Sequence, residues 1–223
     1  MRSRLNLRGS SRIVAEFFEY SINSILYQRG IYPAEDFTVV KKYNLSMLVT
    51  VDPEVKAYVK KIMHQLHKWL VHGKISKLIV VITDKDAGEV VERWQFDINP
   101  ETATHNPVTD AANTTPSDDG ITSPAATIPP IRAPKTESQI QAEIQAIIRQ
   151  ITASITFLPV LEGRCTFNVL VYADGDAQVP GEWADSDPKE INNGDCERVQ
   201  LRSFSTNEHR VDTLVAYRLG QAE

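Results

Sequence analysis

Cysteine is nearly absent from this chain of 223 residues: Cys165 and Cys196 are the only two. Two thiols so widely separated build neither a disulfide framework nor a zinc site. Long apolar runs are missing too, and none approaches the roughly 18 residues of a membrane-spanning helix. The start, MRSRLNLRGSSR, is basic but has no apolar stretch of the kind a secretory leader needs. A reduced cytosolic or nuclear setting is therefore expected. Positive charge is not in excess: the net charge is −5, which argues against a general nucleic-acid binder, since phosphates are neutralised by clustered Lys and Arg. There is no nucleophile elbow, no P-loop and no dinucleotide fingerprint; DGDA at 174–177 is turn chemistry. Internal repeats are absent as well.

What remains is a chain 42% hydrophobic, enough for a real core. Residues 11–29 carry Ile13, Val14, Phe17, Phe18, Ile22, Ile25 and Leu26 at helical spacing. Ser10 or Ser11 is expected to cap this helix, and Gly30 with Pro33 to end it. Residues 37–50 read as a mixed extended stretch. At 52–54, DPE gives an Asp cap, a Pro at the first helical position and an acid near the positive helix end. Val55, Tyr58, Val59, Ile62, Leu66, Trp69 and Leu70 then form one stripe, and Gly73 stops it. KLIVVITD (77–84) is a short apolar strand, DKDAGE a hairpin loop, and VVERWQFDI (90–98) the returning strand. In that strand Trp94, Phe96 and Ile98 share one face, with Arg93, Gln95 and Asp97 on the other.

Residues 101–135 change character, holding six of the twelve prolines, seven threonines and no aromatic residue. Such a stretch buries too little apolar surface to offset its ordering entropy, so a disordered inserted loop is expected here. Its Thr115 and Ser123 precede prolines and are candidate phosphorylation sites. Helical periodicity resumes with Ser138 and Gln141 as a capping box, followed by Ile140, Ile144, Ile147, Ile148, Ile151, Ile155 and Leu158 as the buried side, ended by Pro159. CTFNVLVYA (165–173) is the best strand, with Cys165, Phe167, Val169 and Val171 on one face and Thr166, Asn168, Leu170 and Tyr172 on the other. A Gly/Pro/Asp/Asn-rich connection follows at 174–197, with eight acids and one lysine. Val199–Phe204 and Val211–Tyr217 read as two final strands joined by the polar link STNEH. Neither is strongly apolar, so the pair is expected to be only modestly anchored.

Candidate chemistry is sparse. His64 and His67 are spaced for a shared metal, but further ligands and a general base are wanting, and both lie off the apolar stripe, so a solvated face is the reading. Cys165 reads as core and Cys196 as an inert loop residue. The acids of 174–197 are either a solvated loop or an acidic rim for a basic peptide. Arg149 stands opposite the isoleucine stripe among Gln145, Thr152, Ala153 and Thr156, a setting for either an ordinary surface Arg or a protein contact. No catalytic residue, metal ligand or cofactor is expected.

AEFFEYSINSILYQRGIYP (15–33), VVERWQFDI (90–98), IIRQITASITFLP (147–159) and VQLRSFSTNEHRVDTLVAY (199–217) closely resemble the spindle-checkpoint branch of the HORMA family. The resemblance covers residues 5–100 and 136–218; the segment 101–135 departs from it, as an insertion that loop-closure entropy tolerates. It implies a single α+β domain over 5–218: three helices packed on a mainly antiparallel sheet, with a mobile C-terminal safety-belt region at 174–219.

The resemblance further implies two native arrangements. In the open one the tail strands lie on the edge of 165–173; in the closed one they pair with 90–98, and the vacated edge takes a partner peptide beneath the connection 174–197. On that basis Cys165, Thr166, Phe167, Asn168, Val169, Leu170, Val171, Tyr172 and Trp183 bind peptide. Arg149, Gln150 and Phe157 form the contact through which a closed copy recruits an open one. Val199, Leu201, Phe204, Val211, Val215 and Tyr217 belong to the mobile hairpin. The implied partners are the activator of the anaphase-promoting complex, a coiled-coil kinetochore checkpoint receptor, a second copy of the chain, and an AAA+ remodeller with its adaptor gripping residues 1–10; neither nucleic acid nor a membrane span is implied. The implied role is to delay anaphase, in nucleus and cytoplasm and at kinetochores in mitosis. A HORMA adaptor of a translesion DNA polymerase is the alternative.

Overall fold

The computed structural model describes residues 4–101, 134–191 and 196–219. In chain order it contains helix α1 (Arg4–Gln28), strands β1 (Phe37–Lys42) and β2 (Leu45–Thr50), helix α2 (Pro53–Val71), strands β3 (Ile75–Asp84) and β4 (Val90–Pro100), and helix α3 (Glu137–Ala153). Strands β5 (Cys165–Ala173), β6 (Cys196–Gln200), β7 (Phe204–Ser205) and β8 (His209–Arg218) complete it. The main sheet runs β5-β3-β4-β8-β6, with β7 also on β8, and every pairing is antiparallel. The α+β expectation holds, and the segment 101–135 lies outside the described residues apart from Glu101, Pro134 and Lys135.

Helix α1 occupies the centre. Phe17, Phe18, Ile22, Ile25 and Leu26 are fully buried, and Phe17 and Phe18 both meet the ring of Phe96 on β4, at 5.8 and 5.5 Å. The helix closes on Gly30, whose φ of +62° lets its N–H reach Tyr27 O and the Ile31 N–H reach Leu26 O. The helix begins well before the expected start at residue 11, and Ser10 and Ser11 are interior residues rather than caps. Both are buried, and the Ser10 hydroxyl is engaged by the tail of the chain. Tertiary partners thus take the place of a cap.

The extended stretch 37–50 is a two-stranded hairpin, turned by Tyr43 and Asn44, both in the left-handed region at φ 50° and 54°. On α2 the expected Asp52 cap forms, its carboxylate accepting from Val55 N–H at 2.8 Å. Tyr58, placed on the buried stripe from its spacing, is instead an exposed residue at the rim. In α3 the capping box is Thr136 with Gln139, not Ser138 with Gln141. The same motif occurs twice in TESQIQ, two residues apart, and the earlier copy adds about half a turn of helix. At the other end α3 stops at Ala153 and tightens into a 3₁₀ turn, Ser154–Thr156. That change of pitch rotates Ile155 off the isoleucine stripe, leaving it 48% exposed.

The tail departs most from expectation. The first tail strand is broken into β6 and β7, because Arg202 N–H turns away from the ladder to Gln150 Oε1 at 2.7 Å. Nor is the tail modestly anchored. Strand β8 is bonded on both edges, and Leu201, Phe204, Val211, Val215 and Tyr217 are all buried, with Val199 half-buried. Their alternate spacing puts them on the helix-facing side, where Phe204 meets Phe17 edge-on at 4.7 Å. Cys196 lies in β6, not in a loop, its thiol hydrogen turned to Glu197 O. The Tyr217 hydroxyl donates to Glu197 of the neighbouring strand at 2.5 Å, and that bond, with burial second, pushes the phenol from 10.0 to about 12.

Two outcomes follow. Phe204→Ala removes a 1%-exposed ring and should lower the unfolding free energy by about 3–5 kcal/mol in urea denaturation. The Tyr217 phenol is raised on folding, so its contribution is complete below the unfolded value near 10 and is lost as pH rises through about 12. An alkaline ultraviolet titration should show that late step in the parent chain and not in Tyr217→Phe.

Candidate functional site

Strand β5 ends the sheet. It pairs with β3 from Cys165↔Asp84 to Ala173↔Ile75, and no strand lies on its other edge among the described residues. An open edge of this kind offers a row of backbone donors and acceptors to any extended chain. Its two faces differ as the alternation implies. Phe167 and Val169 are buried toward the helices, Cys165 and Val171 pack beside them half-buried, and Asn168 and Tyr172 are exposed. Thr166 and Leu170 are half-buried, and Lys77 Nζ lies 5.4 Å from the Tyr172 ring centre.

Aromatic residues line the helix side of this edge. Phe167 is met edge-on by Tyr32 at 6.2 Å and by Tyr58 at 5.6 Å. Burial pushes the Tyr58 phenol up, while a hydrogen bond with the Val169 backbone acts in the opposite sense. Tyr58 thus touches the free edge itself, a role its place on an apolar stripe concealed. Burial also raises the Cys165 thiol, reinforced by the carboxylates of Asp84 and Glu92, so it stays protonated and a poor nucleophile.

The connection after β5 is tied to α2. Asp174 N–H donates to Lys74 O at 2.9 Å, and Lys74 Nζ meets Asp176 at 2.6 Å, which raises the lysine and lowers the acid. The Trp69 indole N–H donates to Gln178 O at 3.0 Å, and Trp183 stacks edge-on against Trp69 at 5.1 Å. Lys61 pairs with Glu182 at 3.0 Å, and Ile191 further along is buried. Part of the acidity of 174–197 is therefore matched within the chain. Trp69 read as a core residue; its indole N–H, which needs a partner when buried, was the available hint of a second task.

The remaining expected residues fall near the end of α3. Arg149 is exposed, Phe157 is 41% exposed with its ring 6.3 Å from Tyr217, and Gln150 is already bonded to the tail through Arg202 N–H. Beneath them lies a buried ion pair that spacing did not disclose. Arg29 and Glu92 meet at 2.8 Å with side chains 6% and 1% exposed, and Arg29 also donates to Pro159 O. Burial pushes the Glu92 carboxyl up, against the pull of Arg29 and the Trp94 indole. His64 is exposed and His67 half-buried, and no cluster able to hold a metal occurs among the described residues. No helix among them is long and apolar enough to cross a membrane.

Residues 10–209 match the model of the HORMA domain. The mitotic spindle checkpoint component mad2 of Schizosaccharomyces pombe is 53% identical over 219 residues, covering 98% of this chain and 97% of that protein. The human mitotic spindle assembly checkpoint protein MAD2A is 47% identical, covering 96% and 93%. Among solved structures, a chain from the crystal structure of the mitotic checkpoint complex is 52% identical with a TM-score of 0.77, covering 95% of this chain and 100% of that one. MAD2B of Gallus gallus is a more distant relative, 28% identical over 163 residues. A sheet with its tail strands on β4 and an open margin at β5, together with these likenesses, places the chain in the HORMA family, in the branch of the spindle checkpoint proteins.

Proposed function

We propose that this chain is a spindle checkpoint clamp that captures an extended peptide on the outer edge of β5 and retains it beneath the connection 174–197. One observation carries the reading: the tail docks through β8 on β4, so Cys165–Ala173 is left as a sheet edge without a strand partner among the described residues. This is the closed arrangement of the two that the family resemblance implies. Backbone bonds to the edge supply affinity, and side chains alternating into the aromatic pocket of Tyr32, Tyr58 and Phe167 supply selectivity. Trp183, held on Trp69, fastens the belt over the captive. The acids of the belt that face solvent suit a basic–aliphatic ligand.

The ligands in this reading are segments of the anaphase-promoting-complex activator and of a coiled-coil kinetochore receptor. Sequestering the former delays anaphase, with no catalytic step. Arg149, Gln150 and Phe157 form the surface on which a closed copy receives an open one. Here Gln150 acts through the tail it holds, so that surface exists in full only when the tail is docked. The N-terminal residues serve as the grip for an AAA+ remodeller, and the protein works in nucleus and cytoplasm and at mitotic kinetochores. A translesion polymerase adaptor has no observation in its favour.

Fluorescence anisotropy with a labelled basic–aliphatic peptide tests the clamp. Capture should be followed by slow release, and Trp183→Ala should speed release on the order of tenfold or more, as loss of a packed aromatic anchor does. Failure to capture, or capture that leaves the amides of 165–173 unprotected, would sink the reading. Arg149→Ala should weaken self-association about tenfold by sedimentation while leaving peptide release unchanged.

A further inference from the structure

The link between the last two strands, STNEH (205–209), is polar throughout, yet Ser205, Thr206, Glu208 and His209 are all buried. It is gripped from two sides. From α1, the Ser10 hydroxyl lies 2.5 Å from Thr206 Oγ1 and 2.6 Å from His209 Nδ1. Ser10 has one proton and two partners, so one of the two must donate to it, and both arrangements leave the trio satisfied. From the α3 side, Lys135 Nζ lies between the Glu143 carboxylate, at 2.6 and 2.7 Å, and Ser205 Oγ at 2.7 Å. The Ser205 N–H donates to the same carboxylate at 3.0 Å, and Lys135 N–H donates to Asn207 Oδ1 at 2.8 Å. Glu101 N–H donates to Glu208 O at 2.9 Å. Three segments remote in sequence, α1, the end of β4 and the start of α3, therefore converge on five residues.

We propose that Ser10 and Lys135 form a two-sided polar lock on the tip of the tail hairpin, and that release of this tip limits how fast the tail leaves β4. The inference rests on the reading of the tail as an element with a second berth. Its physical basis is the difference between the tip and the strand it terminates. The apolar residues of β8 recur at every second position, and any sheet edge beside a hydrophobic layer satisfies that period. The tip has no such freedom. Its hydroxyls and imidazole are buried. Thr206 keeps its bonds within the tip, but the contacts of Thr206 and His209 with Ser10 and of Ser205 with Lys135 are lost if the hairpin shifts by a single residue. A fully satisfied buried polar cluster specifies one geometry and penalises near misses. The Lys135–Glu143–Ser205 group adds a charge that reaches the tip only while α3 and the hairpin are both in place.

Hydrogen exchange of the full chain without any peptide tests the lock, so its outcome is independent of ligand capture. Ser10→Ala and Lys135→Met should each speed exchange of the amides at 205–209 on the order of tenfold, with α2 and β3 unchanged. Ser10→Thr, which keeps the hydroxyl, should restore the slow rate. In a Thr206→Val background, Ser10→Ala should add markedly less than it does alone. Unchanged exchange at the tip in both variants would overturn the proposal. So would acceleration by the same factor in α2 and β3, since that reports general destabilisation. If peptide capture fails while the tip responds as described, the lock stands and the clamp reading falls.

Discussion

Strand β8 is hydrogen-bonded along both edges, to β4 on one side and to β6 and β7 on the other. A strand so placed must lie inside the sheet, and the order β5-β3-β4-β8-β6 then puts β5 and β6 at opposite margins. The chain between them, residues 174–195, has to cross from one margin to the other. Four strand spacings amount to about 19 Å. Twenty-two residues extended could reach about 73 Å. Because β5 and β6 run parallel, the crossing must also return along about seven residues of strand, roughly 23 Å. The direct path is then about 30 Å, and the connection is about twice as long as it needs to be. That surplus lets it detour along α2, where Trp69 and Trp183 hold it, and leaves room for a further strand against β5.

The ties along that detour differ in kind. Lys61–Glu182 and Lys74–Asp176 join exposed or half-exposed side chains, and pairs of this sort are screened by water and weaken with salt. They bias the path of the connection without fixing it. The indole pair is different: one ring is buried, its N–H is spent on Gln178 O, and the second ring covers it. This mixture, weak charge pairs spread along the length and one aromatic contact, is what the proposed belt requires.

Elements set by local periodicity were legible from the residues alone. The helix cap at Asp52, the stop at Gly30, the facing of Trp94, Phe96 and Ile98, and the whole of 165–173 rest on rules that act within a few positions. What was misread has a common origin in contacts between remote segments. Ser10 carries a capping residue's chemistry but meets Thr206 and His209, so the helix runs past it. Thr136 and Ser138 offer the same capping motif, and nothing local ranks them. Ile155 keeps its spacing but loses its face when the helix tightens into a 3₁₀ turn. The tail looked weakly anchored because its apolar residues are interleaved with Arg and polar groups, yet those groups lie on the opposite face or bond across to α3. The free edge of β5 is a property of strand order, which no single strand encodes; family resemblance, not periodicity, suggested it.

Burial alone gives a strand little means of choosing between two sheet edges. Val211, Val215 and Tyr217 would be covered in any register that keeps the period of two, and the ladder bonds of one edge resemble those of another. Discrimination must therefore come from groups whose partners are unique to one place. In this molecule those groups sit at the tip of the tail pair, where Ser205 meets Lys135 and Thr206 and His209 meet Ser10, while Tyr217 and Glu197 belong to the pair itself and hold β6 to β8. Polar groups have a second advantage in an element that moves as proposed. When they part, water takes over their hydrogen bonds, so the net cost of separation is modest although the geometric demand is strict. Apolar burial stabilises the tail on β4, and the polar tip ties it to that one place.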